Sequence, residues 1–308
     1  MIKIIIGGSP CTHWSIAQKN NRETVPEGQG WELFKNYLIA KEKFNPDFFL
    51  YENNESAAQP IKDQIAHELG VGKDPKVRFT YINSALVSAQ NRQRFYVTNF
   101  GDIEQPEDRG IFLKDILESG CVDKDKSYCL KHQSGNSRDY FKKHHTQVAF
   151  EPVGSTENSV DGGTIYEVKD GLITVKGAQY KIRLPDGYYI IRKLTVNECR
   201  RLQTIPDWYK MPCSASQNYK MLGNGWTIEV IKHILSYIPN IQNCTVEVLS
   251  MYDGMSCGQI ALTELGCKIE RYVSYEIDKY CIQTTQMNFP KTEQRGDAFQ
   301  LRNTNWSF

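Results

Sequence analysis

Three places in the 308-residue chain combine residue types that could do chemistry. The first is Gly7-Gly-Ser-Pro-Cys11, where a thiol follows a β-rich run and Pro10 stiffens the turn that carries it. A cysteine in such a turn is a nucleophile if its thiolate is stabilised; a buried structural thiol is the plain alternative. The second is Glu52 in Tyr51-Glu-Asn53, at the end of the next apolar run and so on the same sheet edge as Cys11. A carboxylic acid there could protonate or hydrogen-bond a ring nitrogen while the thiolate adds to that ring. A solvated strand end or a helix-cap partner would read the same way. The third is Tyr252-Asp-Gly-Met-Ser-Cys-Gly258, where a strand turns through glycine into a helix, an arrangement that lets backbone approach a ligand. Glu276, at the end of the following strand, can accept hydrogen bonds from two ribose hydroxyls, and Asp297 comes at the next strand end. Gly-x-x-x-Gly in place of GxGxxG favours a nucleoside without phosphates over a pyrophosphate cofactor.

These residues need a frame that brings strand ends together. Ile2–Ile6 reads as a buried strand ending at Gly7-Gly8; Trp31–Lys43 has helical apolar spacing closed by Pro46, and Phe48–Tyr51 is a strand. Ile61–Leu69 reads as a helix, Val77–Ile82 and Arg94–Asn99 as strands. Near the C-terminus come a strand at Thr245–Met251, a helix at Gly258–Leu265, a strand at Arg271–Tyr275 and a helix at Asp278–Asn288. Helices alternating with apolar strands predict a parallel α/β sheet. From Gly101 to Tyr189 the periodicity mostly fades, which predicts a smaller, irregular, strand-rich region. Its scatter of Lys131, His132, Arg138, Lys142, Lys143, His144 and His145 could face phosphates or simply water. Helical character returns at Thr195–Leu202, with Thr195 as N-cap and Glu198 three residues on, and at Thr227–Ile238.

A net charge of +1 excludes a globally basic nucleic-acid binder, so any such surface must be a local patch. No apolar run approaches membrane-spanning length, and the N-terminal apolar run is too short for a signal peptide. A soluble, cytoplasmic protein is expected. Nine cysteines, an odd number with no CxxC pair, indicate neither a disulfide framework nor a metal site.

Taken together, these residues resemble the cytosine-5 DNA methyltransferase family over most of the chain outside the irregular middle. Gly8-Ser-Pro-Cys11 is similar to that family's nucleophile motif, Glu52-Asn53 to its Glu-Asn-Val motif and Gln90-Asn-Arg-Gln-Arg94 to its Gln-x-Arg-x-Arg motif. Arg192 to Gln203 with Pro206-Asp207 resembles the segment after the target-recognition domain, Gly223-Asn224 the late Gly-Asn motif, and Tyr252–Gly258 with Glu276 and Gly296-Asp297 the cofactor motifs. Thr12, Asn54 and Tyr252 depart from the usual Gln, Val and Phe, and the cofactor loop lies nearer the eukaryotic de novo class. In the commonest arrangement the cofactor loop comes first and the Gly-Asn motif last. Here the nucleophile comes first, so the order is circularly permuted, with Pro239 to Asn243 as the short join.

The resemblance implies a Rossmann-like class I methyltransferase sheet, permuted, over 1–101 and 219–308, and a target-recognition region over 102–218 that includes 192–207. It implies S-adenosyl-L-methionine as cofactor, bound by Tyr252, Asp253, Gly254, Met255, Gly258, Glu276, Ile277, Asp297 and Asn224. Cys11 would attack C6 of a flipped cytosine, Glu52 would meet N3, Arg94 the base O2, and Arg92 would support the catalytic loop or nearby backbone. Residues 12–30, with Gly28 and Gly30 as hinges, would form a loop closing on DNA. Double-stranded DNA is the implied partner, with a cognate restriction endonuclease if the enzyme belongs to such a pair; nucleoid association would follow in a prokaryote or phage. A tRNA methyltransferase of the same family, or a catalytically dead DNA-binding relative, are the alternatives. The Cys-Phe-Thr tripeptide of the tRNA branch is absent, and the dead relative would not need the retained Cys11, Glu52 and arginines.

Overall fold

A computed structural model describes residues 1–16, 22–131, 140–141, 147–154 and 164–308, with Cys11 described through its backbone. Strand β1 (Ile2–Gly7) leads through a 3-10 turn at Cys11–His13 to helix α1 (Gly28–Phe44), β2 (Phe48–Asn54), α2 (Gln59–Leu69), β3 (Arg78–Asn83) and β4 (Gln93–Thr98). The middle of the chain holds β5 (Val148–Val153), β6 (Ile165–Lys169), β7 (Leu172–Val175), β8 (Ala178–Lys181) and β9 (Gly187–Lys193). Three helices follow, α3 (Val196–Leu202), α4 (Ala215–Asn224) and α5 (Ile228–Leu235). Then come β10 (Thr245–Met251), α6 (Cys257–Glu264), β11 (Lys268–Tyr275), α7 (Lys279–Asn288) and the two-residue β12 (Glu293–Gln294).

Seven strands form one sheet in the order β12-β11-β10-β1-β2-β4-β3. Successive residues of β1 serve opposite faces: Ile4 and Ile6 join a core with α5 and α6, and Ile5 joins one with α1 and α2. Burial on both faces is why Ile4–Ile6 is an unbroken apolar run, and helices on both faces make the doubly wound architecture expected of a methyltransferase sheet. The parallel expectation needs one correction, because β4 runs antiparallel to both β2 and β3. Residues 84–92 join β3 to β4 without a crossover helix, and a connection that short returns the chain antiparallel.

One cross-sheet row fixes the site. Gly7 pairs with Met251 on one side and Tyr51 on the other, and Met251 pairs with Tyr275. The residues just past that row are the Cys11 turn, Glu52, the Tyr252–Gly258 loop and Glu276. Chain order reverses between β10 and β1, the switch point at which such sheets bind ligands beyond their strand ends.

Strands β5-β9-β6-β7-β8 form a separate antiparallel sheet. Its core, built from Tyr140, Val148, Phe150, Ile173, Tyr189 and neighbours, is its own. The flanking parts of 102–218 behave differently: Ile103, Leu113, Ile116, Leu194, Leu202 and Tyr209 share the core of Ile4 and Ile6. Helix α4 was not expected from the sequence, because its buried face includes the polar Asn218, whose amide serves the carbonyls of Met211 and Cys213. The Thr195–Glu198 cap is present as a reciprocal pair. Among the described residues, no helix is long and apolar enough to cross a membrane, and no group of three His, Cys, Asp or Glu could hold a metal.

Candidate active site

The turn bearing Cys11 is clamped to β2. Ser9, 3 % exposed, shares a 2.8 Å hydrogen bond with the Tyr51 hydroxyl, and the Asn53 amide donates to the Ser9 carbonyl at 2.9 Å. A Cβ on Gly8 would collide with the Glu52 carbonyl and lie 3.0 Å from its Oε2, so only glycine lets the turn lie this close to the carboxyl. Glu52 is buried and held at both oxygens: Arg94 Nε lies 3.0 Å from Oε1, and the Trp226 indole N–H donates to Oε2 at 3.0 Å. Two donors on one carboxyl fix its plane as well as its place.

Arg92 and Arg94 are both buried but face different partners. Arg92 donates to the carbonyls of Gly223 at 3.2 Å and Gly225 at 2.8 Å, joining the chain just before β4 to the end of α4. Arg94 turns to Glu52. Between them lies Cys129, with Sγ 3.3 Å from Arg92 and 3.9 Å from Arg94. Burial pushes its thiol up, yet the two guanidiniums outweigh burial and hold it below the ordinary thiol range.

On the cofactor side the loop turns through three left-handed residues, Tyr252 (φ 57°), Gly254 (φ 58°) and Ser256 (φ 58°). Two are not glycine, and such strain persists where the surroundings over-determine it. Asp253 supplies that determination: its buried carboxylate accepts from the hydroxyls of Ser250, Ser256, Tyr272 and Ser274. It is thus committed to shaping the loop from within. Burial raises its pKa, the four hydroxyls pulling the other way. Glu276 Oε2 accepts from Gly254 N–H at 2.8 Å, while Oε1 accepts from the N–H groups of Ile277 and Asp278. Oε2 keeps acceptor capacity for a ligand hydroxyl, and no atom lies within 4 Å of where a Gly254 Cβ would stand. Ile277, 75 % exposed, is an apolar side chain open to a ligand ring. Burial raises the Glu276 pKa above 4.5, against three backbone N–H groups. The donor set therefore fits a nucleoside.

The remaining candidates fall into place unevenly. Gly258 lets α6 pack on β1, where a Cβ would strike Ile6. Met255 is buried, its carbonyl accepting from Tyr209. Tyr252 donates its hydroxyl to the Leu33 carbonyl at 2.7 Å. Asp297 is exposed, lies three residues beyond β12 and caps a 3-10 turn through Phe299 N–H. Asn224, at the end of α4, is exposed. The loop over 12–30 is anchored at its flanks rather than free: Trp14 is fully buried, and Glu23 accepts from Trp14 Nε1 and Gly30 N–H. Gly30 is a close-packing glycine, since a Cβ there would meet Trp14 at 2.5 Å. Residues 17–21, and of the basic scatter all but Lys131, lie outside the described residues. Sequence reasoning missed Trp226 and Cys129. Trp226 follows Gly223-Asn-Gly225 directly, a place to look for a donor, but nothing local pairs it with a carboxylate 174 residues away.

The sequence model of the C-5 cytosine-specific DNA methylases matches residues 1–240. The chain belongs to that family. Its activity is methylation of carbon 5 of cytosine in DNA, which requires a methyl donor. Among curated relatives, the type II methyltransferase M.FnuDI of Fusobacterium nucleatum is 25% identical over 256 residues, 73% of each chain. M.HhaI of Haemophilus parahaemolyticus is 25% identical over 75% of this chain and 74% of its own. M.HaeII of Haemophilus aegyptius is 28% identical over 78% and 74%. The matched residues run from the thiol turn through Gly223-Asn224, while the cofactor-side strands β10 and β11 follow in the chain and sit beside β1 in the sheet.

Proposed function

We propose that this methylase works by covalent catalysis from Cys11 on a cytosine flipped out of double-stranded DNA, with S-adenosyl-L-methionine as the methyl donor. The observation that carries this reading is the single register row that sets the Cys11 turn against Glu52, whose carboxyl is held at both oxygens. Flipping is required because neighbouring bases cover C5 and C6 in the stack. The Cys11 thiolate gives its electron pair to C6, and Glu52 stabilises the charge that develops by hydrogen bonding at N3. C5, now electron-rich, takes the methyl group; loss of the C5 proton and then of Cys11 restores the ring. The cofactor supplies an electrophilic methyl on a sulfonium. Glu276 holds its ribose, Ile277 and the open face at Gly254 receive the nucleoside, and Asp253, Tyr252, Met255 and Gly258 keep the loop in shape. Asn224 and Asp297 border the same site. Arg94 reaches the base O2 from its place on Glu52, and Arg92 supports the backbone at Gly223 and Gly225.

The region 102–218 reads the target, with the antiparallel sheet of β5–β9 as its independent part. A cognate endonuclease acting on the same site is proposed as a partner, the relatives themselves being named type II methyltransferases. The test is tritiated methyl transfer to double-stranded DNA and to tRNA in competition. Transfer to DNA with S-adenosyl-L-methionine is expected; transfer confined to tRNA would overturn the assignment.

A further inference from the structure

We propose that Trp226 is a positioning residue for Glu52, aligning the carboxyl from the cofactor side of the site. This role rests on the reading of Glu52 as the group that meets the base. The terminal torsion of a glutamate side chain is broad, so one donor at Oε1, Arg94, leaves the carboxyl free to swing. The indole N–H at 3.0 Å from Oε2 removes that freedom.

Trp226 can impose a geometry because its own backbone is fixed. Gly225 O accepts from Arg92 at 2.8 Å and from the Gln203 amide at 3.1 Å, and Leu222 O accepts from the same amide at 2.6 Å. Thr227 donates to Gln203 Oε1 and accepts from Ser84, and all three residues are buried. A fully paired buried network of this kind specifies one arrangement. On the opposite side a Cβ at Gly225 would lie 3.0 Å from Met255 Cε and 3.3 Å from Cys257 Sγ. Residues 222–227 therefore touch the cofactor loop with one edge and hold the catalytic carboxyl with another. Asn224, expected at the cofactor, lies within the same stretch.

The test is a cycle of Trp226→Phe, Glu52→Gln and the double variant. It measures single-turnover methyl transfer to DNA and cofactor affinity by calorimetry. Phenylalanine keeps the ring and removes the donor. Loss of one buried hydrogen bond at the carboxyl predicts that Trp226→Phe slows transfer about tenfold, with cofactor affinity changed by less than about twofold. The double variant should be no slower than Glu52→Gln alone, because Trp226 acts through that carboxyl. Wild-type transfer by Trp226→Phe would overturn the role. So would a further slowing of Glu52→Gln by the second substitution, or a loss confined to cofactor affinity. If Glu52→Gln itself transferred at the wild-type rate, the reading of Glu52 would fail, a result distinct from the other three.

Discussion

The two halves of the proposed site, a cofactor half around Glu276 and a catalytic half around Glu52, hold their carboxylates in different ways. On the cofactor half, Glu276 is held by N–H groups of Gly254, Ile277 and Asp278, and Asp253 by four neutral hydroxyls. On the catalytic half, Glu52 is held by a guanidinium and an indole from residues 42 and 174 positions away. The cofactor half is organised mostly by its own strand ends and needs little else. The catalytic half is assembled from β1, β2, β4 and the end of α4, so it is complete only when the whole sheet and the helices on its face are in place.

Substitutions should separate the halves. The largest effect is expected from Glu52→Gln, which should slow methyl transfer by about 10²–10⁴-fold, as for loss of a general acid-base group. Calorimetry should show cofactor affinity unchanged; a parallel loss of affinity would merge the two halves. Gly8→Ala should come next, since the added methyl meets the Glu52 backbone carbonyl and must push the Cys11 turn away. A displacement near 1 Å costs roughly 10²-fold in rate, read in single-turnover assays beside a cofactor affinity that should stay at the wild-type value.

On the other half, Glu276→Ala should weaken cofactor binding about tenfold or more, the scale of a charge-assisted hydrogen bond. A calorimetric affinity equal to wild type would remove Glu276 from the ribose. Its pH dependence follows from burial. In its proposed role the carboxylate accepts ligand hydroxyls, and burial raises its pKa above the ordinary glutamate value. Cofactor affinity should therefore be full at neutral pH and fall as pH drops through that raised value, earlier than for an exposed glutamate. Glu276→Gln should flatten the profile. The smallest effect belongs to the scaffold between the halves: Gly258→Ala forces Ile6 to move in a filled core and should cost about 1–3 kcal/mol. Denaturant unfolding measures it, and an unchanged midpoint would show that α6 can shift freely on β1.

The same contrast explains what could be read from the sequence. Strand β10 was legible to the residue, and so was the Thr195–Glu198 cap, because apolar runs and capping pairs are local signals. The positions of the Tyr252–Gly258 loop and of Glu276 just past their strands were legible for the same reason. The direction of β4 was not, since it depends on the length of a connection rather than on the strand. Helix α4 was hidden by Asn218, a polar residue on its buried face whose amide serves the carbonyls of Met211 and Cys213 in the preceding segment. The partners of Glu52 divide along this line: Arg94 stood out within Gln90-Asn-Arg-Gln-Arg94, while Trp226 carried no mark of the residue it serves. The stretch 102–218 reads as one block from composition, yet Ile103, Leu113, Leu202 and Tyr209 share the core of Ile4 and Ile6, because shared burial is a property of the packed molecule and not of composition.

The claim that Cys11 attacks the base is tested most directly by trapping. Duplex DNA with 5-fluorocytosine in the target site, incubated with S-adenosyl-L-methionine, cannot lose fluorine from C5 as it would a proton, so the thiol stays bound to C6. Digestion and mass spectrometry should place the cross-link on Cys11, and Cys11→Ser should abolish it together with methyl transfer. A cross-link of undiminished yield in Cys11→Ser, or one mapped to Cys129 or another cysteine in the wild type, would contradict it.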